Sequence, residues 1–204
     1  MTETFDYGFP NGLKGKARYH INPDLSQGGI VAVSATIRTG VFIGPLATVA
    51  GYSHIGEGVF VGNNSHIGKS VFIGEGTVIK EGVFVGNNSH IGEIMFVGNN
   101  SHIGKSVFVG EGTVIKEGVF VGNNSHIGEI MFVGEDTVIK EGVFVGNNSH
   151  MEKGVFVGNN SHIGEGVYLG KGVCVGNNAH IGEGLDIGIY TQIDEGAFIR
   201  KRRS

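Results

Sequence analysis

The chain has 204 residues, of which 17% are charged and 40% hydrophobic, and its 15 Lys and Arg against 19 Asp and Glu leave a net charge of −4. That balance gives no reason to expect nucleic acid as a partner, and no run approaches the roughly 20 apolar residues of a membrane span. A single cysteine, Cys174, excludes an intrachain disulfide and is compatible with a reducing compartment.

Residues 1–24 stand outside any regular pattern. Met1 to Tyr7 contains neither a basic segment nor an apolar run, so no secretory signal is read there, and the expected location is the cytoplasm or a particle assembled in it. Phe9 to Gly12 reads as a tight turn, and Lys14, Lys16 and Arg18 make the stretch locally basic. A cap over the first part of a repeat array is expected here, with a docking arm for another subunit as the alternative.

From residue 25 to residue 199 the chain keeps a six-residue beat, loose at first and regular from Ile55 to His162. An aliphatic residue opens each hexad, as at Ile55, Val61, Ile67, Ile73, Ile79, Val85 and Ile91, and Gly usually follows it. A larger unit of 36 residues lies above this: residues 91–126 repeat 55–90 with only Ile94 for Gly58, Met95 for Val59 and Val109 for Ile73. Short fixed periods predict a solenoid in which each turn buries its apolar side against its neighbours. The 38 glycines therefore signal neither collagen nor disorder, because aliphatic residues recur on schedule and no Gly-x-y triplet runs through the chain.

The pattern aliphatic-Gly-x-x-small-x resembles the hexapeptide-repeat family, and the resemblance covers about residues 25–200. It implies an all-β fold, a left-handed parallel β-helix with three hexads per triangular turn and about nine to ten turns. Side-chain alternation then puts the first and fifth residues of each hexad inside and the sixth and second outside, with the third and fourth at the corner. Gly at the second position is expected to leave a shallow trough beside each outward sixth residue.

At 18 residues per turn the outward sixth residues fall into three columns. One alternates His54, Phe72, His90, Phe108, His126, Phe144 and His162. A second is apolar over six turns: Phe42, Phe60, Val78, Phe96, Val114 and Phe132, with Ile94 and Ile130 added from the adjoining corner. Turns about 4.8 Å apart make this a strip too large for a lone chain to leave in water, so it is expected to be an assembly interface between copies.

The histidines raise two chemistries. Zinc needs side chains converging within about 2.1 Å of one point, whereas His54, His90 and His126 are two turns apart with Phe between them, so no metal is expected. Acyl transfer is the alternative function that the resemblance implies. It would be carried out by a trimeric, CoA-dependent acyltransferase with His at subunit seams, acyl-CoA as co-substrate, and His54, His90, His126 and His162 as candidates. Many such enzymes place their catalytic histidine three residues after a His like His54. This chain has Glu57, Glu93 and Glu129 at the corresponding positions, and no insertion breaks the beat to wall a donor site.

An enzyme needs one special turn, while a scaffold needs many equal ones. The sequence therefore places first a structural, self-assembling β-solenoid (scaffold, fibre or filament subunit) with no cofactor, whose partner is itself, as a trimer or an end-to-end filament. Residues 200–204 form a basic tail in which Arg200 to Arg203 either guard the last edge by charge or give way to a stacked copy.

Overall fold

Each hexad gives a two-residue strand and a corner, and three hexads bring the chain back to the face on which it started. In the computed structural model, which describes residues 3–10 and 12–201, every strand from Thr36–Ile37 to Phe198–Ile199 is two residues long. Each pairs in parallel with a strand 18 residues away, as Phe72 does with His90 and Ile73 with Ile91. The chain is a left-handed parallel β-helix of about nine turns, with sheets of twelve, ten and nine strands. Among the described residues there is no helix long and apolar enough to cross a membrane.

The first residue of each hexad fills the core. Ile55, Ile73, Ile91, Ile115 and Ile139 are wholly buried, and burying such a side chain contributes about 1.5–3 kcal/mol. The fifth position is also buried, and where it is Ser or Thr the hydroxyl bridges turns. The Thr77 hydroxyl donates to the Gly92 carbonyl at 2.8 Å and accepts from the Met95 N–H at 3.2 Å. Ser65 does the same with Lys80 and Val83. Among the described residues no buried side-chain polar atom lacks a partner, as a core with so many hydroxyls requires.

The second position differs from expectation. Gly62 and Gly98 are buried, and they open no trough. A Cβ on Gly98 would stand 2.5 Å from both the Lys116 carbonyl carbon and the Glu117 nitrogen of the next turn. Glycine is there because the corner of one turn rests on the strand end of the turn before. Where a side chain does occupy this place, as at Lys80, glycines bracket it one turn before and one turn after (Gly62 and Gly98). Fourth-position residues take the left-handed conformation, with φ of 57° at Asn64, 53° at Ile94 and 54° at Ile130. Isoleucine is an outlier at such a corner.

The N-terminal segment builds onto the twelve-stranded sheet. Strands β1 (Phe5–Gly8) and β2 (Lys14–Ile21) form an antiparallel hairpin closed by a 2.9 Å bond from the Gly12 N–H to the Phe9 carbonyl. β2 pairs antiparallel with β3 (Gln27–Ala32), which in turn starts the parallel ladder through Val31 and Val49. Phe9, Ala17, Ala32 and Ala50 make a small apolar cluster beneath the hairpin, apart from the main core. Beyond it, His20 Nε2 donates to the Val41 carbonyl and the buried Asn22 Oδ1 accepts from the Ile43 N–H, both at 2.9 Å. The first turn's backbone thus finds partners in residues 20–22.

At the other end Arg200 lies over the Phe198 ring, 5.8 Å from its centroid. The expectation for the basic tail beyond Lys201 falls outside the described residues.

Candidate functional site

Two-residue strands leave one outward side chain per strand, so each sheet presents a single ladder of side chains. On the ten-stranded sheet His54, His90, His126 and His162 alternate with Phe72, Phe108 and Phe144. The rings lie flat on one another with centroids 4.7–5.3 Å apart and interplanar angles of 5–10°. The phenylalanines keep the histidines apart, and the structure brings no two of these four together. Burial between rings lowers the pKa of His90, His126 and His162, the last also through the charge of His180. Each is therefore held as the neutral imidazole at neutral pH.

The apolar column lies on the nine-stranded sheet. Phe42 stacks on Phe60 at 5.1 Å, and Phe60 keeps 37% exposure, while Phe96, Phe132, Val78 and Val114 are half-buried. Lysines from the second position lie over two of the rings, with Lys80 Nζ 5.7 Å from the Phe96 centroid and Lys116 Nζ 5.6 Å from that of Phe132. The strip is therefore less bare than outward placement alone implies, since a lysine stem covers apolar surface while its ammonium stays wet. Ile94 and Ile130, at the corner, are 69% and 67% exposed.

Two concavities lie toward the N-terminal end of the helix. One groove, of about 280 Å³, opens between the ten- and nine-stranded sheets. It is lined by His54 and Phe72 from the ladder, Arg38 and Gly56 from second positions, and Glu57, Glu75 and Glu93 from the corner. Of the four histidines on this ladder singled out by sequence, it is His54 that borders this groove. Arg38 is what sets this turn apart, because Gly56, Gly74, Gly92 and Gly110 hold the same place in the turns that follow.

The glutamates extend past the groove through Glu111 and Glu129 as an exposed acidic edge. Sequence reasoning missed Arg38 and this edge as site features. Reading the second and third hexad positions every 18 residues brings both out. A larger concavity of about 390 Å³ lies on a different corner, between the hairpin and the first turns.

An imidazole beside a groove that also holds a guanidinium and carboxylates has a ring nitrogen able to accept a proton from a bound hydroxyl or amine, while the cation stabilises developing negative charge. The groove is open on its outer side, so a ligand there would be enclosed only by a second surface laid against this edge.

Two family models match the chain. One is the GMPPB C-terminal domain, over residues 26–120; the other is the bacterial transferase hexapeptide (six repeats), over residues 136–171 and 148–183. No curated protein sequence matches. Among solved structures the chain is similar to LpxA from Acinetobacter baumannii, with 22% identity over 82% of this chain and 68% of that one and a TM-score of 0.59. A second UDP-N-acetylglucosamine acyltransferase gives 17% identity, coverage of 81% and 70%, and a TM-score of 0.51. The chain spans 66% of the Francisella novicida UDP-N-acetylglucosamine acyltransferase, at 18% identity, 81% coverage of this chain and a TM-score of 0.49. At these identities the likeness is one of fold.

Proposed function

We propose, from the premise that the chain belongs to the hexapeptide-repeat family of left-handed parallel β-helices, that it is the subunit of a homo-oligomeric acyltransferase whose transfer site is the His54 groove. The sequence alone placed structural assembly first because the repeated turns are alike. The observation that carries the enzyme reading is the special turn whose absence weighed against it: Arg38, His54 and Glu57 share one concavity at the irregular end. The match to the transferase hexapeptide family and the fold likeness to acyltransferases support the same choice.

In this reading His54 takes the proton of an acceptor hydroxyl or amine as that atom attacks a thioester carbonyl. Arg38 faces the oxygen on which negative charge develops. The carbon–sulfur bond breaks, and the departing thiolate takes the proton back from the imidazolium, so no net proton is gained or lost. His54 thus fills the role that related enzymes give to a histidine three residues later, where this chain has Glu57. The wall missing from the groove is supplied by a neighbouring copy, in a trimer by resemblance to the family. An acyl-CoA would lie along that seam, with its reacting end in the groove. Residues 1–24 act as a cap in this arrangement, through the bonds of His20 and Asn22 to the first turn.

The test is release of free thiol from acetyl-CoA and longer acyl-CoAs in the presence of UDP-N-acetylglucosamine or another amino-sugar acceptor. Acceptor-dependent release that falls about 10²–10⁴-fold in His54→Ala is the expected result. No release with any donor, together with a melting temperature that no donor raises, would remove the reading.

One observation favours the structural alternative. The Phe/Val ladder and the exposed Ile94 and Ile130 exceed what a transfer site uses. If assembly is the function, these residues carry it, and Phe96→Glu with Phe132→Glu dissociates large species seen by light scattering. An unchanged sedimentation profile in that double variant would count against it.

A further inference from the structure

The larger concavity, of about 390 Å³, is within the usual range for a small-molecule site and has no part in the reading above. It exists because several ordinary features of the repeat are absent where the hairpin meets the first turns. Gly51 stands at the corner position that carries Lys69 and Asn87 in the next turns. Beside Gly15 of β2 an added Cβ would meet nothing within 4 Å. Phe9, itself 5% exposed, closes the floor over its alanine cluster, and Val33, half exposed, forms a wall.

Two further features are out of keeping with the surroundings. First, the lining holds Lys14, Lys16 and Lys69 and no carboxylate, in a chain whose net charge is −4. Asp6 pairs with Lys16 at 3.1 Å, while none of the ion pairs among the described residues involves Lys14 or Lys69. Second, Tyr52 occupies a left-handed corner at φ 60° and is 70% exposed, where the following turns on that edge place Ser70, Asn88 and Ser106. Tyr190 near the other end of the helix shares that conformation and exposure, at φ 54° and 66% exposed, but Tyr52 is the one of the two that borders this concavity. The Lys69 ammonium stands 5.2 Å from the centroid of the Tyr52 ring.

We propose that this groove binds a small organic anion carrying a planar ring. The ring lies on the face of Tyr52 against Val33, and the acid group reaches the ammonium groups of Lys14 and Lys69. Planar stacking and paired cations are together complementary to that class. A nucleoside monophosphate and an aromatic carboxylate share this chemistry. Because the groove lies on another corner, it stands or falls independently of the His54 reading.

The experiment is calorimetric titration of the unaltered protein with adenosine 5′-monophosphate and, separately, 4-hydroxybenzoate, with adenosine and inorganic phosphate as the ring-only and anion-only controls. The expected result is saturable binding of one or both anions with a Kd below about 1 mM, and at least tenfold weaker binding of both controls. Which anion binds more tightly decides between the phosphate and carboxylate sources. Tyr52→Asn and Lys69→Asn import residues that the next turns already carry at those places, and each should weaken binding about tenfold or more. Nuclear Overhauser contacts from the ligand ring to Tyr52 in the unaltered protein provide a readout independent of variant folding. No saturable binding of either anion, equal binding of phosphate alone, or undiminished affinity in Tyr52→Asn would overturn the proposal.

Discussion

The first turns and the repeated middle use the same hexad, with opposite results. From residue 55 to residue 162 identical positions carry near-identical residues, so side chains stack into ladders and every turn presents the surface of its neighbours. Before that, Arg38, Gly51 and Tyr52 depart from the residues that later turns carry at the same places, and the two concavities described above are bordered by them. Regularity builds length and a continuous core, whereas departures from it leave concavities. The coils of the two regions share a backbone geometry; the first turns differ in the side chains at second and corner positions and in the antiparallel hairpin laid against them.

The sharpest way to break the middle is to put bulk where one turn rests on the next. Gly98→Val should destabilise the helix by about 3 kcal/mol through overpacking, because its Cβ meets backbone at 2.5 Å. Gly58→Asn, at a corner with nothing within 4 Å and a φ of 65° that asparagine tolerates better than most residues, should cost no more than about 1 kcal/mol. Urea midpoints measure both, and equal effects would refute the packing account.

Next in size is the hydroxyl bridge. Thr77→Val leaves the Gly92 carbonyl and the Met95 N–H without their partner and should lower stability by about 1–3 kcal/mol.

Acidification should come third. The folded-state pKa of His66, His90, His102 and His126 lies below the ordinary value of 6.5 through desolvation. The unfolded chain then binds more protons, and stability rises with pH across that window. It is complete above about 6.5 and lost as pH falls from there through the lowered values. The melting temperature should drop between pH 7 and pH 5, and less so in a His90→Phe, His126→Phe variant; an equal drop in that variant would contradict this.

The smallest expected effect is that of Lys80→Gln. It removes the ammonium from over Phe96 and should cost about 0.5 kcal/mol in a denaturant series.

The sequence carried the fold because the period itself is the fold: six residues make a strand and a corner, and 18 return to the same face. The columns of outward residues could be written down before any coordinates, including the separation of His54 from His90 by Phe72. The role of second-position glycine was not legible, since it depends on how closely one turn rests on the next. The grooves were hidden for a related reason. Arg38, His54 and Glu75 come together only when second, sixth and third positions of different turns meet at one corner. The hairpin over Gly51 and Tyr52 lies outside the period altogether, so no pattern within the repeat announces it.

The claim that function sits in the irregular turn is tested most directly by comparing two rungs of one histidine ladder. Acceptor-dependent thiol release should fall about 10²–10⁴-fold in His54→Ala and stay within about twofold of the parent in His90→Ala. Equal loss in both, or activity untouched in His54→Ala, would contradict it.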